Sequence, residues 1–85
     1  MSWQVVFADR ALRDLCNLDR TVATRVIRAI DRLASEQAGD VKRLQTPDPT
    51  WRLRVGDWRV RFRYDYADRT IEVLRILPRG RAYRD

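Results

Sequence analysis

The chain has no histidine, one cysteine and one lysine among its 85 residues. Each shortage closes a branch of chemistry. Without histidine or a cysteine pair, the side chains left to accept a proton are carboxylates and tyrosines. Cys16 stands alone, so neither an intrachain disulfide nor a cysteine-based metal site can form. Its neighbours Leu12, Leu15 and Leu18 suggest a small core residue. No apolar run approaches the length of a membrane span. The N-terminus reads directly as a strand rather than as a signal peptide, and a cytoplasmic protein is expected. A P-loop, a dinucleotide fingerprint, an HExxH helix and an acidic cluster for two-metal chemistry are all missing, and Asp14 and Asp31 read as solvated helix charges. No cofactor or metal is implied.

What the chain does have is arginine. Lys and Arg total 18 against 12 Asp and Glu, a net charge of +6, and every cation except Lys42 is an arginine. Residues 1–50 carry a net +1 and residues 51–85 a net +5. Genomic base composition can favour arginine over lysine everywhere, but it does not gather the excess into the last third of a chain. A localised excess of planar, bidentate donors points to a polyanionic partner. The length allows one domain over residues 1–85, burying only roughly 60–65% of its unfolded surface.

Trp3 to Phe7 alternates and predicts a first strand. Ala8 to Leu18 repeats apolar residues at helical spacing. Asp19 is a plausible N-cap for a second helix to about Gln37, whose stripe of Val22, Ala23, Val26, Ile27, Ile30, Leu33 and Ala34 lies opposite Arg20, Arg25, Arg28 and Arg32. Gly39 is a natural stop, and residues 40–50, with Pro47 and Pro49, predict a loop. Trp51 to Val55 and Trp58 to Tyr66 flank Gly56-Asp57, a two-residue turn with Gly first, as a type II′ hairpin requires. Thr70 to Leu77, rich in Val, Ile and Leu, is expected to be central in the sheet. The order of one strand, a two-helix hairpin and three antiparallel strands predicts an α+β fold, its helices on one face of a small, mainly antiparallel sheet.

The hairpin sorts its side chains by alternation. Trp51, Leu53, Val55, Trp58, Val60, Phe62 and Tyr64 share the face that meets the helices. Arg52, Arg54, Arg59, Arg61 and Arg63 share the other, and a turn at Gly56-Asp57 sets Arg54 opposite Arg59 and Arg52 opposite Arg61. Like charges directly opposed are unfavourable. A face selected for solubility alone would mix signs, so this one argues for an anionic ligand. Solvated arginines whose stems cover the sheet are the plainer alternative. Arg79, Arg81 and Tyr83 follow the last strand and can turn toward the same face.

These residues resemble the RelE/ParE toxin superfamily. The resemblance is carried by Trp51-Arg52-Leu53-Arg54-Val55-Gly56-Asp57-Trp58-Arg59-Val60, by Val73-Leu74-Arg75-Ile76, and by Arg79 with Tyr83-Arg84 four residues on, and it covers essentially the whole chain. The closing Arg-x-x-x-Tyr-Arg favours the RelE branch. The resemblance implies a RelE-like fold and a toxin that cuts mRNA in the ribosomal A site. It further implies an antitoxin as partner, and DNA met only through a toxin–antitoxin complex, with no membrane. The family's basic and tyrosine positions fall on Arg52, Arg54, Arg59, Arg79 and Tyr83. Arg61, Arg63 and Arg81 join by the strand argument. Many relatives place a histidine before the arginine matched by Arg79, where this chain has Pro78.

RNA can be cut without a metal when its own 2′-OH is the nucleophile. Tyr83, with an ordinary pKa near ~10 that nearby cations would lower, is the preferred base. Arg54, Arg59 and Arg79 suit the role of fixed donors to the phosphorane oxygens, and Arg79 is the candidate proton source for the leaving oxygen. Arg52, Arg61, Arg63 and Arg81 suit backbone binding, which positions RNA without reading bases. Two alternatives stay open. One is a ParE-like inhibitor of DNA gyrase on the same scaffold, and the other is a non-catalytic module that binds nucleic acid or a protein partner.

Overall fold

The structure is a computed structural model that describes residues 2–80. Strand β1 (Gln4–Phe7) leads into helices α1 (Asp9–Cys16) and α2 (Arg20–Glu36), followed by β2 (Asp40–Arg43), β3 (Trp51–Val55), β4 (Trp58–Asp65) and β5 (Thr70–Pro78). The sheet order is β1-β5-β4-β3-β2. Only β1 runs parallel to its neighbour; the three later pairings are antiparallel. The α+β architecture with a helical hairpin inserted after the first strand is as expected; β5 is an interior strand between β1 and β4, and β4 holds the centre of the sheet.

Local signals account for most boundaries. Asp19 caps α2, its Oδ1 accepting the Val22 N–H at 2.9 Å. The helix stops at Gln37, which takes the left-handed conformation (φ 54°) while its N–H returns to the Leu33 carbonyl. Gly39 therefore does not cap it. Gly39 lies instead where a Cβ would come within 2.8 Å of Leu53 Cδ1, so its smallness lets the chain pass under β3. At the hairpin, Gly56 alone has positive φ (58°), the pattern of a II′ turn. Val55 pairs with Trp58, Arg54 with Arg59 and Arg52 with Arg61, the register that alternation predicted.

The core is the contact between α1, α2 and the inner sheet face. Ala11, Val26, Ile30, Leu33 and Ala34 from the helices meet Leu53, Val60, Phe62, Ile71, Val73 and Ile76 from the strands. Removing a side chain as enclosed as Phe62 would cost about 3–5 kcal/mol. One irregularity makes this packing possible. Phe62 pairs with Val73 but Arg61 with Arg75, so Leu74 is an extra residue in β5. The bulge shifts the alternation by one. Ile76 then joins Ile71 and Val73 on the core side, and Arg75 turns to the outer face.

Three expectations need correction. Residues 40–50 are not all loop: Asp40–Arg43 is an edge strand, paired from Asp40↔Arg54 to Arg43↔Trp51. With Val41 its only apolar residue, it carries the charges typical of a protected edge and none of the periodicity that marks a strand. Cys16 is exposed, because α1 presents Ala11 and Leu15 to the core. Asp14 is not solvated; it reaches the edge of β5.

Candidate nucleic-acid interface

Beyond the fourth residue of β1 the chain turns away into α1, and the second half of β5 has no strand on that side. Ala8 donates the last strand-like bond, to the Val73 carbonyl at 2.9 Å. Asp14 then serves the exposed edge. Its Oδ2 accepts the Ile76 N–H at 2.9 Å and Arg75 Nε at 2.8 Å, while Oδ1 accepts Arg75 Nη2 at 3.3 Å. Burial alone would raise the Asp14 pKa. The bonds from Arg75 and Ile76, with the charges of Arg75 and Arg10, outweigh it and hold the carboxyl below its usual value. The same contact raises the pKa of Arg75.

Strand register now assembles the arginines. Arg52, Arg61 and Arg75 are cross-strand partners on β3, β4 and β5, forming one row across the outer face. Arg54 and Arg59 form a second row nearer the hairpin turn. The first row is bracketed by carboxylates. Arg52 Nη1 donates to both the carbonyl (3.1 Å) and Oδ1 (3.2 Å) of Asp40, and Arg75 grips Asp14. Neighbouring elements thus bring acids that the hairpin sequence alone does not show. Arg63 is separated from the rest, in an ion pair with Glu72 at 3.2 Å toward the far end of the sheet.

Accessibility varies within each row. Arg52 and Arg59 are buried, at 8% and 5% exposure. Arg59 Nη1 donates to the carbonyls of Gly56 and Trp58, both at 3.0 Å, which fixes its guanidinium against the turn. Arg61 is half-buried, whereas Arg54 and Arg79 are exposed. The Arg79 N–H binds the Asp57 carbonyl at 2.7 Å, bringing the end of β5 to the hairpin turn. Arg25 of α2 reaches the turn from the other side, its Nη2 at 2.7 Å from where a Gly56 Cβ would stand. Arg81 and Tyr83 lie outside the described residues. A cationic rim around a two-residue turn, carried on a rigid sheet, can hold a phosphate chain and stabilise charge developing on it.

Arg75, Asp14 and Asp40 are the members of this face that sequence reasoning missed. A period-two pattern assigns Arg75 to the wrong face unless the bulge is known; Val73-Leu74 followed by Ile76 was its only trace. Pairing of Asp14 with Arg75 spans 61 residues and has no local signature.

A family model described as the ParE toxin of the type II toxin–antitoxin system parDE matches residues 5–83. The chain belongs to the RelE/ParE family of toxins. A curated relative, the RelE1 toxin of Methanocaldococcus jannaschii, is 29% identical over 89 residues, covering 100% of this chain and 99% of its own. Among solved structures, the toxin in the archaeal RelE–RelB complex of Pyrococcus horikoshii is 31% identical with a TM-score of 0.79, covering 96% of this chain and 100% of that one. The RelBE2 toxin–antitoxin complex of Mycobacterium tuberculosis gives 28% identity and a TM-score of 0.81, over 93% and 100%. This RelE/ParE toxin thus shares its fold with them across nearly its whole length. Among its described residues no helix is long and apolar enough to cross a membrane.

Proposed function

We propose that this toxin is a ribosome-dependent mRNA endonuclease of the cytoplasm, restrained by a cognate antitoxin. The reading is carried by the cationic rim of the hairpin turn. Arg54 and Arg59 are cross-strand partners there and the Arg79 backbone is tied to the turn, which concentrates phosphate-binding donors on one end of the sheet. The full-length likeness to RelE proteins supports it. That the two related structures are complexes with antitoxins supports the protein partner.

In this mechanism the 2′-OH attacks the adjacent phosphorus while the bond to the 5′-oxygen breaks, leaving a 2′,3′-cyclic phosphate and a 5′-OH. Arg54, Arg59 and Arg79 stabilise the phosphorane oxygens, and the fixed geometry of Arg59 lowers the reorganisation needed to do so. Arg52, Arg61, Arg63 and Arg81 hold the RNA backbone. Tyr83 takes the 2′-OH proton, a role that falls to it because the chain has no histidine, and Arg79 gives a proton to the leaving 5′-oxygen.

The ParE description of the matching family model favours a second reading, inhibition of DNA gyrase by binding alone. Purified protein added to a reconstituted translation reaction and, separately, to a gyrase supercoiling reaction separates them. Cleaved mRNA only in the presence of ribosomes is the expected result; lost supercoiling with intact mRNA would replace the first reading by the second.

A further inference from the structure

The opposite end of the sheet carries a second cluster that the arginine face does not use. Tyr64 lies at its centre, with ring centroids of Trp3, Phe62, Trp51 and Tyr66 between 5.2 and 5.5 Å away. Trp3 also meets Tyr66 edge-on at 5.7 Å. Two guanidinium groups sit over the indoles, Arg43 at 5.9 Å from the Trp51 centroid and Arg69 at 5.3 Å from that of Trp3. Phe62 completes the core, but Tyr66 is 69% exposed. Between these rings opens a cavity of about 250 Å³, lined by Arg43, Pro49, Trp51, Tyr64 and Tyr66.

A large aromatic left this open needs a reason, since its burial would stabilise the chain. The cavity is smaller than the ~300–1,000 Å³ of small-molecule sites, and it suits one or two side chains instead. Near-perpendicular rings, Trp51 to Tyr64 at 75°, form walls of the type that receive a prolyl or aliphatic group. Arg43 is the only charged group in the lining among the described residues and calls for a carboxylate beside that anchor. Trp, Tyr and Arg are also the residues that dominate binding energy at protein interfaces. A nucleic acid fits less well. Asp48, Asp65 and Asp68 in the adjoining loop and turn offset Arg43 and Arg69, so no field favours a run of phosphates.

We infer that this aromatic cavity is an anchor site for the antitoxin, receiving a proline or aliphatic side chain flanked by Asp or Glu. The site lies on the helix-side face, and the eight residues of β4 set it roughly 25 Å from the hairpin turn. An antitoxin segment held there leaves the arginine face open, so anchoring and inhibition are separable. The inference rests on the antitoxin partnership and is independent of whether the toxin cuts mRNA.

The test uses the full-length toxin and the antitoxin encoded beside it. Tyr66→Ala and Arg43→Glu change exposed side chains, and unchanged melting temperatures would verify the fold. Calorimetry should show antitoxin affinity reduced about 10- to 30-fold by each, with growth arrest by the toxin undiminished. Arg43→Lys, which keeps the charge, should retain most of the parent's affinity. Affinities within twofold of the parent for both variants would overturn the inference. So would a selective loss of binding to a single-stranded RNA oligonucleotide, which would assign the cavity to a base.

Discussion

Asp14 is the residue whose removal should separate the support of the arginine face from its chemistry. Its carboxylate accepts three hydrogen bonds, from Arg75 Nε, Arg75 Nη2 and the Ile76 N–H. The side chains of Arg75 and Asp14 are 26% and 17% exposed, so both charges are partly but not fully removed from water. A bond to a charged group contributes about 1.5–3 kcal/mol when enclosed, and residual hydration keeps the total here near the lower end. Asp14→Ala should therefore cost about 2–3 kcal/mol, because it strands a guanidinium and an edge N–H together. Asp14→Asn keeps an acceptor for Ile76 and should cost about 1–2 kcal/mol. In a domain of this size those losses lower the melting temperature by about 10–20 °C and 5–15 °C respectively. The pH dependence has a definite sign. Asp14 titrates below its ordinary value in the folded state, so its stabilisation is complete above the ordinary carboxylate range and is lost as pH falls through the lower folded value. Urea titrations from pH 7 down to about 2.5 should show a shallower acid limb for Asp14→Asn than for the parent. Equal stability of Asp14→Ala and the parent at pH 7, within about 0.5 kcal/mol, would refute the reasoning, as that is the range of neutral surface changes.

Arg54→Ala and Arg79→Ala should each reduce ribosome-dependent cleavage by about 10²–10³-fold while leaving the melting temperature unchanged, since both side chains are exposed. Primer extension on a defined message measures this, and full activity in both variants would remove the turn from the site. A 2′-deoxy substitution at the scissile nucleotide should abolish cutting with little change in binding, and cutting at a normal rate would exclude the internal nucleophile. Arg59→Lys should destabilise the fold by about 1–2 kcal/mol, because the shorter lysine side chain sets its ammonium short of the place where Arg59 Nη1 donates to both carbonyls, whereas Arg54→Lys should not. Chemical denaturation of the pair provides the comparison.

The elements that could be read from the sequence are those whose partners are close in the chain. Asp19 faces Val22 three residues on, and Gly56-Asp57 fixes the pairing of Arg54 with Arg59 through the turn alone. Once that register is set, the outer face of the hairpin follows with no knowledge of the rest of the fold. The features that escaped depend on distant partners. Asp40–Arg43 is a strand only because β3 offers it an edge, and its four residues hold one apolar side chain. Gln37 takes the left-handed cap ahead of Gly39 because Leu33 lies beneath it and the glycine is needed against Leu53. Arg75 is reversed by a one-residue bulge, an error of parity that period-two reasoning makes whenever a strand carries an extra residue.

The same geometry changes what the arginine excess means. Composition alone treats every cation of the last third as a phosphate ligand in waiting, yet several are committed within the fold. Arg52 uses one nitrogen on two oxygens of Asp40, Arg75 spans both oxygens of Asp14, and Arg59 ties down the hairpin turn. All three exploit several N–H groups arranged in one plane, which a lysine lacks. Packing these cations side by side is unfavourable in itself. Carboxylates taken from β2 and α1 at the two ends of the row offset part of that repulsion. Arg54 and Arg79, beside the turn, stay exposed to solvent. Arg52 and Arg75 brace the face through Asp40 and Asp14, so a loss of function at Arg52 or Arg75 is evidence about RNA only when the fold is shown to be intact.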